Sequence, residues 1–394
     1  MTKKGLIYLA SLLLIGACSD NNVITNVDDE LNQTFKHRSK TRSIDDVVAL
    51  ANLMETRSRS AKDYEIEVIT TETTHPLSRS GERDTLLYFV SNAEHPLIIS
   101  ADESCYPYLA IFDNKNGSLI NTISNPTEDN AALLSTLELP LTDRNTFNEI
   151  MTRNPVTGLD EGYVGGVFDN VIVSEIDPKV KVEWNQWSPF NDMCPASNDK
   201  TYSEHCAAGC VAIAGAQACT VTRHFDNYKG INLDWDKIEL FKNGTYRYVY
   251  PELAVTIADF IHKIGIAVDM DYSDVSSGAD TKKLISRVFL NNRILTCSEN
   301  KADIEYTLRM HKEGIVVVSS RTKSDFLGIP RGVGHCYIID GYKKYDSGKA
   351  FLHVNFGQGY NNGYFIQNLI SPYFSEDSPW NYGHEWHFYC LYKK

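Results

Sequence analysis

The chain has 394 residues, 42% of them hydrophobic and 11% aromatic, with 38 Lys+Arg against 51 Asp+Glu for a formal net charge of −13. The length predicts two domains of ordinary size, and the composition excludes a disordered chain. The acidic balance argues against a general nucleic-acid binder, which would need a basic face, so no nucleic-acid partner is expected. Nine cysteines are too few for a disulfide-dense scaffold, and the odd number leaves at least one unbridged or chemically modified.

At the N-terminus, Lys3 and Lys4 precede an apolar run from Leu6 to Ala17. That layout is a secretory signal and is too short to span a bilayer in the mature protein. It ends in Ile15-Gly16-Ala17-Cys18, which resembles the bacterial lipobox, where the cysteine is lipidated and becomes the new N-terminus. The alternative is an ordinary signal peptide with an incidental cysteine. The expected organisation is a signal peptide over 1–17 and a lipidated, polar, flexible tether over 18–42. No later segment approaches the ~18 consecutive apolar residues that a membrane crossing requires. The expected location is therefore outside the inner membrane, as an exported bacterial lipoprotein anchored through Cys18 in the periplasm or at the outer membrane or cell surface. Release after processing is left open.

Ser43-Ile44-Asp45-Asp46 predicts a capping box, and Val47, Val48, Leu50, Ala51 and Met54 follow it at helical spacing. Short β-type runs come next at Glu65–Thr71, Asp84–Val90, Pro96–Ser100 and Leu109–Phe112, with a turn over Asp113-Asn114-Lys115-Asn116-Gly117 and a helix over Arg144–Arg153. This α+β unit carries no paired carboxylates, His/Cys cluster or glycine loop. Gly158, Gly162, Gly165 and Gly166 mark a flexible connection, which sets a domain boundary near residue 170. A glycine-rich hairpin within one domain is the rival reading.

In the second half, Gly209–Thr222 is a run of small and apolar residues that predicts a helix buried on nearly every side. A further helix is expected over Pro251–Ile264, then strands over Ile315–Ser320, Cys336–Tyr342, Ala350–Phe356 and His387–Tyr392. Turn-forming clusters separate these strands, as an antiparallel meander requires.

Cys210 opens the buried helix, where the positive end of the dipole favours thiolate and the first-turn N–H groups can face a developing oxyanion. Cys219, in the same run, reads as a buried inert thiol. His335 follows 125 residues later at the mouth of a strand, after a loop with Gly328, Gly332 and Gly334. Asn355 on the next strand could orient the imidazole. Taken singly, each of these also reads as an ordinary structural residue.

Together the motifs resemble the streptopain family of papain-like cysteine peptidases. Gly209-Cys210-Val211-Ala212 with Gln217 is similar to its nucleophile motif, Gly334-His335 through Ile339-Asp340-Gly341 to its histidine strand, and His353-Val354-Asn355 to its asparagine strand. Trp184-Asn185-Gln186 with Pro189-Phe190-Asn191 is similar to its oxyanion segment, and Ile264–Tyr272 followed by Ser276-Ser277-Gly278 resembles a further family stretch. The first half resembles its inhibitory propeptide, most clearly at Leu87–Val90 and Pro96–Asp102. The resemblance implies an α+β fold, with a propeptide domain over 43–170 and a papain-like catalytic domain over 171–394 built as a central buried helix plus antiparallel sheet. It further implies a cysteine endopeptidase zymogen with Cys210 as nucleophile, His335 as base, Asn355 orienting it and Gln186 as oxyanion donor. The implied partners are protein or peptide substrates with an apolar residue just before the cleaved one, and the chain's own propeptide as inhibitor. No cofactor and no metal are implied.

The sequence departs from the family at Phe356-Gly357-Gln358-Gly359, where members usually carry Trp-Gly-Trp-Gly, so a catalytically impaired surface binding lipoprotein is an alternative. An acyl-transferring amidase is another. Cys194, His205, Cys206 and Cys210 lack paired zinc knuckles, and Asp269, Asp271 and Asp274 lack the glycine and glutamate of a calcium loop. Gly357-x-Gly359 opens no evident helix, so a phosphate loop is not expected. In an oxidising compartment Cys194 and Cys206 are expected to bridge, closing a loop of about a dozen residues worth ~3 kcal/mol. A Cys206–Cys210 bridge is the competing outcome.

Overall fold

In the computed structural model the residues described are 41–55, 59–60, 63–74, 84–114, 117–155, 157, 171–321, 334–372 and 386–393. The signal segment, Cys18, the tether up to residue 40, the glycine-rich connection and the loop holding Gly328 and Gly332 lie outside them.

Helix α1, Ile44–Leu53, starts at the expected capping box: Asp46 N donates to Ser43 Oγ at 3.2 Å, and Ser43 N donates to Asp46 Oδ2 at 2.8 Å. Four antiparallel strands follow, β1 Ile66–Thr70, β2 Thr85–Val90, β3 Leu97–Ser100 and β4 Tyr108–Phe112. Helices α2, Glu128–Thr136, and α3, Arg144–Thr152, complete the first half apart from short helical turns.

The second half contains strand β5 Ile172–Ile176, helix α4 Cys210–Thr222, a two-stranded ribbon of β6 Asn227–Tyr228 and β7 Ile231–Asn232, and helix α5 Pro251–Ala267. Strand β8 Leu295–Ser298 and helix α6 Asp303–Met310 lead into β9 Ile315–Arg321, β10 Gly334–Tyr345, β11 Ala350–Asn355, β12 Gly363–Ile366 and β13 Trp386–Lys393.

These strands form one antiparallel sheet in the order β1-β2-β3-β4-β12-β11-β10-β9-β13-β8, with β5 pairing β10. The first half therefore extends the sheet of the second through the β4–β12 ladder, in which Phe112 opposes Gly363 and Ala110 opposes Phe365. Side chains alternate across the sheet as strand geometry demands. Ile315, Val317, Cys336 and Ile338 belong to the core under α4 and α5, while Val316, Val318, Tyr337 and Ile339 belong to the core shared with the first half. The fold is the expected α+β arrangement of a buried helix on an antiparallel sheet.

Helix α4 is buried along almost its whole length. Its alanines leave room for close neighbours, and at Gly215 an added Cβ would lie 2.6 Å from Leu284 Cδ1. Burial on this scale fixes the helix axis, and with it the direction in which its first residue points.

Candidate active site

Gly209, at φ +87°, ends the approach to α4, and an added Cβ there would sit 2.6 Å from Met270 Sδ and 3.1 Å from the Ser277 carbonyl oxygen. Only glycine accepts that backbone and that closeness. The turn delivers Cys210, half-buried, as the first helical residue with no side-chain cap in front of it. Ala212 N and Ile213 N both donate to Gly209 O, so the amides of Cys210 and Val211 precede the first intrahelical bond. Ala208 N donates to Gln186 O at 3.0 Å, which ties the oxyanion segment to the nucleophile's approach. That segment is anchored by fully buried Trp184, whose indole N–H donates to Phe241 O at 2.8 Å.

Gln186, Cys210 and His335 line one cavity of about 600 Å³. The loop Ser276-Ser277-Gly278 borders it on the second-half side, and Ala131, Ala132 and Ser135 of α2 reach into it from the first half. His335 is half-buried, and its Nε2 lies 2.7 Å from the Phe356 carbonyl oxygen. A carbonyl only accepts, so Nε2 carries the proton in this contact. The imidazole stacks near Tyr337 with ring centroids 6.2 Å apart, and Tyr337 in turn tilts onto the fully buried Phe356 ring at 5.5 Å.

Asn355 is brought beside the site but not onto His335. Its Oδ1 accepts from Gly357 N at 2.9 Å and Gln217 Nε2 at 3.3 Å, and its Nδ2 donates to Val182 O at 3.2 Å and Gln217 Oε1 at 3.3 Å. The register explains this. Asn355 opposes Ile338 on β10, three residues in from His335 and under α4, so the next carbonyl along, that of Phe356, is the one His335 meets.

The other thiols differ from Cys210 in setting. Burial pushes the Cys336 thiol well above its usual range, with neighbouring Cys210 adding to the effect. Burial alone raises that of Cys219, which is fully enclosed. The expected Cys194–Cys206 disulfide is not formed, and none of the eight described cysteines is bridged. The two segments do meet, since Cys206 N donates to Pro195 O at 2.9 Å. The Cys206 sulfur nevertheless goes elsewhere, 3.7 Å from Ala196 O and 3.9 Å from Asp274 Oδ1.

His205 Nδ1 lies 2.7 Å from Cys194 O, Asp269 is paired with Lys283 and Arg287, and Asp274 accepts from Ser197 and Asn198. Among the described residues no group of three His, Cys, Asp or Glu is arranged to hold a metal ion. No described helix is long and apolar enough to cross a membrane.

Sequence reasoning named Gln217 without a role and missed the Phe356 carbonyl entirely. A signal for Gln217 was available, because an amide in an otherwise apolar buried helix needs a hydrogen-bonding partner. A backbone carbonyl leaves no mark in a sequence.

Residues 184–365 match the Peptidase C10 family. Streptopain of Streptococcus pyogenes is 26% identical over 255 residues, covering 54% of this chain and 61% of streptopain, and the serotype M1 protein matches over the same extent. The aligned part thus spans about three-fifths of these relatives' length. In fold, the chain is similar to the Prevotella intermedia prointerpain A fragment, with a TM-score of 0.54 and 15% identity over 84% of this chain and 99% of that one. The C10 match over 184–365 and the likeness to streptopain thus make the second half similar to the streptopain family of papain-like cysteine peptidases, and the prointerpain A likeness shows a common fold.

Proposed function

We propose that this chain is the exported precursor of a cysteine endopeptidase, in which Cys210 attacks the scissile carbonyl of a peptide and His335 moves the proton. The observation that carries the reading is the convergence of Gln186, the helix-opening Cys210 and His335 on one cavity. With Nε2–H held by the Phe356 carbonyl, Nδ1 is the nitrogen that takes the thiol proton. The resulting thiolate adds to the carbonyl carbon. The oxyanion is met by the Cys210 N–H and the Gln186 side chain, donors already in place where the negative charge develops. His335 then returns the proton to the leaving amine, and a water deprotonated by the same imidazole hydrolyses the thioester.

The first half, residues 43–170, is read as the inhibitory propeptide, supported by Ala131, Ala132 and Ser135 in the cleft wall. Cleavage between about Gly158 and Lys181 releases activity in this reading. Export and lipidation at Cys18 complete it, resting on the signal and lipobox pattern.

The test is hydrolysis of a quenched peptide by processed parent and by Cys210→Ala. Parent activity is expected to be blocked by a thiol alkylator. The variant is expected to lose at least ~1,000-fold in kcat/KM while unfolding at the parent's temperature. Retained hydrolysis by Cys210→Ala overturns the assignment.

A further inference from the structure

Gln217 lies seven residues beyond Cys210 on α4, two turns along and on the same buried face. Its side chain is fully enclosed, and each atom of its amide is used. Oε1 accepts from Trp184 N at 3.2 Å and from Asn355 Nδ2 at 3.3 Å, while Nε2 donates to Asn355 Oδ1 at 3.3 Å. One amide thereby joins three pieces of chain that are distant in sequence. These are the helix that carries the nucleophile, the segment that carries Gln186, and the turn that presents the Phe356 carbonyl to His335. Asn355 completes the connection by accepting from Gly357 N at 2.9 Å and donating to Val182 O at 3.2 Å.

We infer that Gln217 is a positioning residue for the proposed reaction, acting through Asn355 to set the turn that orients His335 and through Trp184 to set Gln186. The inference rests on the cysteine peptidase reading of the cleft. Its physical basis is that Asn355 and Gln217 satisfy each other in a buried site. An amide pair locked from both sides has a single arrangement, and leaving either amide unpaired is costly. Asn355 acts in this arrangement as a strut under the Phe356 carbonyl rather than as a direct partner of the imidazole. A small shift of that carbonyl rotates the imidazole away from the sulfur, and about 1 Å of misplacement costs on the order of 100-fold in rate.

The experiment uses the full chain after processing and compares parent, Gln217→Met, Asn355→Leu and the double variant. Measurements are kcat and KM on a quenched peptide, the pH profile of Cys210 alkylation, and thermal unfolding. Gln217→Met is expected to lose about 10- to 100-fold in kcat with KM within about threefold, since the amide touches no substrate. Its alkylation profile is expected to move to higher pH, because a poorly oriented imidazole stabilises the thiolate less. The double variant is expected to lose no more than the worse single one, the mark of residues acting as a unit. If Gln217→Met does not fold, Asn355→Leu carries the same kinetic and alkylation readouts. A folded variant with the parent's kcat and alkylation profile, or losses that simply multiply in the double variant, overturns the inference alone. A parent with no Cys210-dependent hydrolysis overturns the functional reading, and this inference with it.

Discussion

Gln358 is 4% exposed, and neither atom of its side-chain amide has a hydrogen-bond partner among the described residues. It stands in the turn after Asn355, two residues past the Phe356 carbonyl that meets His335, where the related proteins usually carry a tryptophan. A buried amide without partners forfeits its hydration and gains nothing in return, a deficit of about 1–3 kcal/mol. Methionine has nearly the same length and no such requirement. Gln358→Met is accordingly expected to raise stability by about 1 kcal/mol, read as a higher midpoint in denaturant unfolding. An unchanged or lower midpoint would mean that solvent or a residue outside the described set satisfies the amide. Gln217 provides the contrast, since both are buried glutamines. One is fully bonded and joins three segments, and the other is bonded to nothing described. Residue type announced that each needed partners, but those of Gln217 come from residues 33 and 138 positions away.

Among the elements, those specified by local rules were legible and those specified by a neighbour were not. Helix α1 follows from its capping box, and α4 from an unbroken run of small apolar residues. The meander β9–β11 follows from apolar runs set between turn residues. Strand β12, by contrast, is four residues long and is a strand because β11 and β4 each offer it an open edge. Helix α2 has weak periodicity because it buries Leu133 and Leu134 in the fold while small residues, Ala131, Ala132 and Ser135, line the cleft. Helix α6 shows another non-local device. Lys179, from the start of the second half, donates through Nζ to the carbonyls of Leu308 at 2.7 Å, His311 at 2.7 Å and Gly314 at 2.8 Å. A cation at the end of a helix satisfies terminal carbonyls and complements the dipole together. Burial pulls this lysine's pKa down to about 8, with Asp340 opposing the fall, so at neutral pH the ammonium is still predominantly charged. Replacing it by methionine keeps the stem but leaves the carbonyls without their donor. Lys179→Met is expected to cost about 2 kcal/mol in unfolding free energy. Faster amide exchange confined to residues 303–314 is the local signature to look for, and unchanged exchange there would show that the cap is redundant.

At the scale of the whole molecule, the two halves are joined by buried polar contacts as well as by the β4–β12 ladder. Lys349 Nζ donates to Met151 O at 3.1 Å, and Asn368 Nδ2 donates to Ile150 O at 2.6 Å and Arg153 O at 2.8 Å. The most heavily charged contact is centred on His353. Its Nδ1 lies 2.5 Å from Asp340 Oδ1 in the second half, and its Nε2 lies 2.7 Å from Asp113 Oδ2 at the end of β4. Asp340 is fully enclosed and also accepts from Val180 N at 2.8 Å. Beside Asp113, Asn114 Nδ2 donates to Glu183 Oε1 at 3.2 Å. The Tyr364 ring meets His353 edge-on at 5.0 Å, with the Lys343 ammonium on that ring at 4.1 Å. Burial works against a charge on His353, but the carboxylates of Asp340 and Asp113 outweigh it, and its pKa is pushed up to about 9. The folded value therefore lies above the ordinary histidine value of ~6.5. The stabilisation is fully present below about pH 6.5 and is lost as pH rises through about 9, and its size is on the order of 3 kcal/mol. Separating the halves would leave His353 with Asp340 alone, so part of this free energy holds the first half in place. In Asp113→Asn the imidazolium keeps one carboxylate instead of two. Unfolding of the full chain, carried in a Cys210→Ala background, is expected to lose stability between pH 6.5 and 9 in the presence of Asp113. The asparagine variant is expected to be less stable at pH 6 and to show a shallower fall, the two curves converging toward pH 9.5. Parallel curves across that range would show that Asp113 does not share the proton-linked charge and that the halves are held by the sheet and the neutral contacts alone.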